Sequence, residues 1–270
     1  MGIVNIENIQ RYTVCLYREK FAEPVPTGTG ILLCLDEKYY LVSAHHIFDM
    51  EEEQIQIESD PDEEGISHDD LDGVLAKSGN TYFFINHFMR GQVFTAYYDE
   101  ISKQPVFNED TEWCVCELTQ EMVEYFRKAG KDFFNIDSIG FPYINPKTSI
   151  IISGFPRYVY EQTGRIEEHR SYLSEMIECN TLTESSLIRV YFENDNAYNC
   201  EQSATVRIPK PYGIEGMSGG GLWYNNHEKF IPIGIILKQD PKENFVEAYR
   251  LDSILRDYLK APKEESKLKQ

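Results

Sequence analysis

Basic residues are scarce in this chain: 26 Lys and Arg stand against 45 Asp and Glu, giving a formal net charge of −19 over 270 residues. A nucleic-acid partner needs concentrated Lys and Arg to displace counterions from phosphates, so that class is excluded, as is binding to an anionic membrane surface. A cationic peptide or a basic partner is what such a surface attracts. Long apolar runs are missing too; none approaches the roughly 18 residues of a membrane helix. The opening Met-Gly-Ile-Val-Asn-Ile-Glu lacks the basic and apolar regions of a secretory signal, which predicts a cytoplasmic protein. Cysteine occurs at 15, 34, 114, 116, 179 and 200, without the CxxC spacing of zinc or redox sites. Reduced thiols are therefore expected, with Cys114 and Cys116 buried on one strand face rather than bridged. Neither a metal nor a cofactor is implied.

What is present is strand-like. Short apolar or alternating runs at 12–17, 31–35, 39–43, 81–85 and 93–98 are followed by others at 149–152, 187–192, 204–208, 221–224 and 230–237. Many short strands separated by turns predict an all-β barrel or sandwich rather than alternating βα units. Two helices interrupt the pattern. Thr119 is placed to cap one over 120–129, with Glu121 early, Arg127 and Lys128 late and Gly130 just beyond. Asp252 is placed to cap another over 253–260, where Ile254, Leu255, Tyr258 and Leu259 share a face. The ten residues from 261 onward read as a tail.

Residues 49–72 hold twelve carboxylates and no Lys or Arg, the pattern of a solvated loop. Asp60-Pro-Asp62-Glu-Glu64-Gly65 imitates the start of a calcium loop, but its twelfth position falls on Leu71 where a bidentate Glu is required.

The strongest chemical signal is Gly216-Met217-Ser218-Gly219-Gly220-Gly221. A serine hydroxyl becomes a useful nucleophile only when a base takes its proton and fixed donors meet the developing oxyanion. Glycines around it let backbone N–H groups turn inward and let a substrate backbone approach. Upstream, Leu41-Val42-Ser43-Ala44-His45-His46-Ile47 ends an apolar strand on a histidine, and Gly28-Thr29-Gly30-Ile31-Leu32 precedes it.

In this order the motifs resemble the trypsin-like, chymotrypsin-fold serine proteases, which carry a Gly-x-Gly strand, a Leu-x-Thr/Ser-Ala-x-His turn and a Gly-x-Ser-Gly nucleophile. Ile151-Ile152-Ser153-Gly154-Phe155-Pro156 is similar to the opening strand of that family's second barrel, and Phe230-Ile231-Pro232-Ile233-Gly234-Ile235-Ile236 to the strand beside bound substrate. The resemblance implies two six-stranded antiparallel barrels with a linker helix and a C-terminal helix. It places the first barrel at 1–118, a linker at 119–147, the second barrel at 148–250 and the last helix and tail at 251–270.

The resemblance also implies the site. His46 is the general base and Ser218 the nucleophile, with the N–H groups of Gly216 and Ser218 as oxyanion donors. At the acid position the family's Asp is replaced by Glu112, in Glu112-Trp113-Cys114-Val115-Cys116-Glu117-Leu118, and Asp110 is the reserve. The P1 pocket floor falls on Tyr212 and its wall on Leu237, Lys238 and Gln239. Lys238 is either a solvent-facing lysine or an attractor of an acidic P1 side chain. The residue before the nucleophile is Met217, so pairing of a freed amino terminus with an Asp there is impossible. The pattern is nearer to HtrA-like proteases and glutamyl endopeptidases.

Two other readings remain. Gly216-Met217-Ser218-Gly219-Gly220 also fits an α/β-hydrolase elbow, but only His227 follows the serine and no helix succeeds it. A catalytically weak protease-fold module that binds a partner or senses a signal is the alternative to an enzyme. If the chain is an enzyme, restraint by a partner or by loop ordering is expected. A role in bacterial defence or signalling, with a dedicated protein effector as substrate, fits the cytoplasmic address and small size.

Overall fold

The computed structural model describes residues 7–20, 23–48, 81–87, 92–97, 106–137, 141–142, 144, 150–156, 172–176, 178–181, 186–191, 196–199, 204–207, 216–226, 229–240 and 245–260. The acidic stretch 49–72, Tyr212, His227, Cys200 and the tail lie outside them.

The described residues build two sheets. The first contains β1 (Thr13–Lys20), β2 (Glu23–Leu35), β3 (Lys38–Ala44), β4 (Thr81–His87), β5 (Gln92–Tyr97), β6 (Val106–Asn108), β7 (Trp113–Glu117) and β8 (Phe134–Asn135). Its order is β5-β4-β1-β2-β3-β7-β6, with β8 added in parallel to β2. The second contains β9 (Ile150–Gly154), β10 (Tyr172–Met176), β11 (Glu178–Thr181), β12 (Leu187–Tyr191), β13 (Asn196–Asn199), β14 (Ala204–Arg207), β15 (Gly221–Asn225), β16 (Phe230–Asp240) and β17 (Phe245–Arg250). Its order is β11-β12-β17-β16-β15-β9-β10-β13-β14. The all-β, antiparallel class is as expected. The sheets carry eight and nine strands rather than six each; in the first, short β6 extends the edge beyond β7 and β8 pairs with the end of β2.

Local chemistry explains the turns that place the site. β2 and β3 pair from Leu35 with Lys38 inward, joined by Asp36 and Glu37, both at positive φ (49° and 61°). That is the twist-matched two-residue hairpin, held from outside by Asp36 N–H donating to both carboxylate oxygens of Asp137 at 3.0–3.1 Å. The first expected helix is α2 (Gln120–Lys128), after α1 (Glu7–Arg11), and Thr119 caps it by accepting from Met122 N–H at 3.3 Å. The last helix, α3 (Leu251–Lys260), begins one residue before its expected cap. Asp252 therefore sits inside the first turn, and its carboxylate is taken by Arg250 with contacts of 2.7 and 2.9 Å.

Alternation along the second-sheet strands joins the two halves. Ile150, Ile152 and Leu222 face the second core with Ile188, Val190 and Val246. Their neighbours Ile151 and Trp223 point the other way, into a core shared with Leu16, Ile31, Leu41 and Val42 of the first sheet and with Leu251, Ile254, Leu255 and Tyr258 of α3. A polar chain threads this seam. Trp223 Nε1–H donates to Ser153 Oγ (2.8 Å), which lies 3.4 Å from Thr13 Oγ1, and Thr13 donates to the Ile9 carbonyl (3.0 Å). The buried Lys131 ammonium ties the segment after α2 to the α1–β1 turn, donating to the carbonyls of Thr13 (2.8 Å) and Gln10 (3.1 Å). Cys15, Cys34, Cys114 and Cys116 are in no disulfide; Cys114 and Cys116 are buried with sulfurs 3.9 Å apart.

Candidate active site

β3 ends at Ala44, and the chain turns at once into a short 3-10 segment, His45–Ile47. Ile47 anchors that turn in the core, leaving His46 on the solvent side. The turn is fastened to the segment before β7 by His45 N–H donating to the Glu112 carbonyl at 2.8 Å. Glu112 itself adopts φ 54°, the left-handed region that costs a non-glycine residue about 1–2 kcal/mol. On either side of it, Thr111 Oγ1 and Trp113 Nε1 are buried without a hydrogen-bond partner among the described residues. Backbone strain and unpaired polar atoms thus concentrate around Glu112.

That carboxylate reaches the imidazole. Glu112 Oε2 lies 3.5 Å from His46 Nδ1, with side chains 50% and 44% exposed. Asp110, exposed in the preceding turn, makes no ion pair or hydrogen bond among the described residues. The structure therefore brings Glu112, rather than the reserve carboxylate, to His46. Beside them His45 stacks on the half-exposed Phe107 of β6, centroids 4.7 Å apart and planes 21° from parallel.

The serine loop comes from the other sheet and lands on the same place. Thr29 N–H of β2 donates to the Ser218 carbonyl at 2.8 Å. Gly219, at φ 78°, packs so tightly that a Cβ there would overlap Ser43 Oγ and the Thr29 carbonyl and come within 3.0 Å of Ala44 N, directly before His45. Gly28 is pressed between Ile47 and the Ser218 carbonyl in the same way. Gly219 N–H donates to Ile236 O (2.6 Å) and Gly220 N–H to Met217 O (2.8 Å). The N–H groups of Gly216 (φ 88°) and Ser218 have no acceptor among the described residues. Met217 is buried against Gly154, an apolar packing residue just before the serine.

The Ser218 hydroxyl donates to the Leu237 carbonyl at 3.4 Å rather than to the imidazole. Of the expected pocket wall, Leu237 thus presents a carbonyl while its side chain is buried in the shared core. The exposed Lys238 is held by an ion pair of 2.8 Å to Glu247, whose other oxygen takes Arg189 Nε at 2.8 Å. Burial pushes the Glu247 carboxyl up, but hydrogen bonds and charge from Lys238 and Arg189 together hold it below the ordinary carboxylate value. Gln239 is half-buried beside them. Thr29 is the residue without an assigned role in the sequence reading. The available signal was a hydroxyl between the two glycines of Gly28-Thr29-Gly30.

No family model matches the chain, and no curated protein matches it in sequence. Among solved structures it is similar to a thermostable serine protease from an extremophilic microorganism, with TM-score 0.52 and 9% identity over 94% of this chain and 98% of that one. It is also similar to the protease of tobacco vein mottling virus, with TM-score 0.51 and 11% identity over 97% and 87% of the two chains. A third is a scabies mite inactivated protease paralogue, with TM-score 0.50 and 10% identity over 96% and 98%. The fold is the all-β, chymotrypsin-like protease fold.

Proposed function

We propose that this protein is a serine endopeptidase that cleaves peptide bonds through an acyl-enzyme. The observation that carries the reading is the docking of the Ser218 loop, by Thr29 N–H and by the tight seat of Gly219, onto the strand end that bears His46. With Nδ1 toward Glu112, the other imidazole nitrogen is left to serve the hydroxyl. His46 takes the proton of Ser218 as its oxygen bonds to the scissile carbonyl, then returns that proton to the leaving amine. Glu112 orients the ring and stabilises its charged form. The N–H groups of Gly216 and Ser218 receive the oxyanion. Water then repeats the sequence on the acyl group and frees the serine.

The Leu237 carbonyl is part of the reading. A peptide bound alongside β16 competes for this carbonyl, so substrate releases the hydroxyl toward His46. At 3.4 Å that hydrogen bond is long, so the resting form is only partly restrained and a phosphorus electrophile also draws the hydroxyl away. Buried, apolar Met217 leaves no carboxylate to pair with a freed amino terminus, which favours the HtrA-like or glutamyl endopeptidase manner of working and control by loop ordering or a partner. A protein effector is the natural substrate of such an enzyme.

A second reading, a protease-fold binding module with weak catalysis, is favoured by the parked hydroxyl and the half-exposed Glu112–His46 pair. Labelling with a fluorophosphonate separates the two. The enzyme reading expects modification of Ser218, located by peptide mass spectrometry and lost in His46→Ala. Absence of labelling in well-folded protein favours the module.

A further inference from the structure

We infer that Thr29 is a positioning residue for the oxyanion donors, a role that rests on the endopeptidase reading. The donors proposed there are the N–H groups of Gly216 and Ser218, and Thr29 holds the carbonyls of the same two residues. Its Oγ1–H donates to Gly216 O at 3.2 Å, and its N–H donates to Ser218 O at 2.8 Å. The hydroxyl also accepts from Phe155 N–H at 3.1 Å, just beyond β9 of the second sheet. The Thr29 carbonyl accepts Ser43 Oγ–H at 2.6 Å, two residues before His45. One fully buried residue thereby connects the serine loop, the histidine strand and the opening strand of the second sheet.

The loop needs such a hold. Gly216 and Gly219 are at positive φ, and without side chains they resist peptide rotation only through their backbone bonds. The C-terminal side is fixed by Gly219 N–H to Ile236 O, by Gly220 N–H to Met217 O and by Ile236 N–H to Gly220 O. On the N-terminal side the hydrogen bond among the described residues is the one from Thr29 Oγ1 to Gly216 O. Fixing that carbonyl fixes the peptide plane that follows the first donor, and the Ser218 carbonyl bond fixes the plane that follows the second. Cys15, paired with Thr29 in the β1–β2 register, and Gly30, paired with Ser43, hold Thr29 itself in the middle of a sheet. The hydroxyl is therefore aimed by rigid strands at a loop with little rigidity of its own.

The test compares Thr29→Val, which keeps the shape and removes the hydroxyl, with Thr29→Ser, which keeps the hydroxyl and removes the methyl. Two readouts are taken on the full chain: the maximal rate of labelling by a fluorophosphonate, separated from reagent affinity, and amide hydrogen exchange of a peptide spanning residues 216–220. Thr29→Val is expected to label about 10²-fold more slowly at unchanged reagent affinity, the cost of misplacing a catalytic group by about an ångström. Its 216–220 amides are expected to exchange faster while the rest of the sheets does not, and Thr29→Ser is expected to restore both. Should Thr29→Val not fold, Thr29→Ala, which leaves space at the same point, carries the same expectation. Labelling within threefold of the parent with unchanged exchange overturns the inference, and so does failure of Thr29→Ser to restore it. If the parent protein itself is not labelled, the endopeptidase reading falls. Exchange then decides only whether Thr29 holds the 216–220 loop: loosening that Thr29→Ser reverses sustains that hold, and no loosening overturns it.

Discussion

Replacing Glu112 by Gln keeps the side chain's size and removes the charge that faces His46. The geometry sets the size of the effect. At 3.5 Å, with the two side chains 50% and 44% exposed, the attraction that develops when the imidazole takes a proton is water-screened. It is worth about 1 kcal/mol under those conditions, roughly a fivefold change in rate. A peptide lying over the site excludes water from the same pair. At the effective dielectric of a partly buried pair the attraction rises to about 4–5 kcal/mol, on the order of 10³ in rate. Glu112→Gln is therefore expected to slow labelling by a small fluorophosphonate only about five- to tenfold, and to slow cleavage of fluorogenic casein by a much larger factor. Asp110→Asn should leave both within twofold. Equal losses in the two assays would refute the screening argument, and a larger loss from Asp110→Asn than from Glu112→Gln would refute the assignment of the acid.

Three further expectations follow from the packing. Gly219→Ala must place a Cβ against the backbone-held Thr29 carbonyl at φ 78°; left-handed strain and overlap together cost about 2–5 kcal/mol, read as a lower Tm together with loss of labelling. The folded Glu247 carboxyl titrates below its unfolded value, so the stability it contributes is complete above the usual carboxylate range and disappears as pH falls through the depressed folded value. Glu247→Gln should lower stability at neutral pH by about 1–3 kcal/mol and flatten the acid limb of a urea-denaturation profile against pH; an unchanged limb contradicts the ion-pair account. Thr119→Ala removes the cap of α2, which supplies none of the serine loop's backbone hydrogen bonds, and should cost about 1 kcal/mol while leaving the labelling rate untouched.

How much of this was legible depends on whether a feature is local. The all-β class and strands such as β3 and β15 could be read directly, because apolar alternation between glycines and charges is itself the strand signal. His46 and Ser218 could be proposed as a pair since their neighbours are constrained too: small residues before the histidine, glycines around the serine. The sequence pattern starts β2 at Ile31, eight residues after its beginning at Glu23, because Pro24 and Pro26 argue against a strand. They are tolerated because this half of β2 pairs with β1 on one side while the β3 ladder starts only at Gly30. β17 was missed altogether, since Glu247 sits in its middle; Arg189 and Lys238 on the two neighbouring strands make that charge admissible, and they arrive from 58 and 9 residues away in sequence. That Glu112 rather than Asp110 lies 3.5 Å from His46 comes with a left-handed backbone at Glu112 that no residue type announces. Thr29 gained its role from a carbonyl 187 positions along the chain, beyond the reach of any local pattern.

The most direct test is a crystal structure of the protein after reaction with a peptidyl phosphonate. The account requires a phosphorus–oxygen bond to Ser218 Oγ, the phosphoryl oxygen within hydrogen-bond distance of the Gly216 and Ser218 N–H groups, and the His46 ring between that adduct and Glu112. An unreacted Ser218 still bonded to the Leu237 carbonyl, or an adduct on another residue, contradicts it.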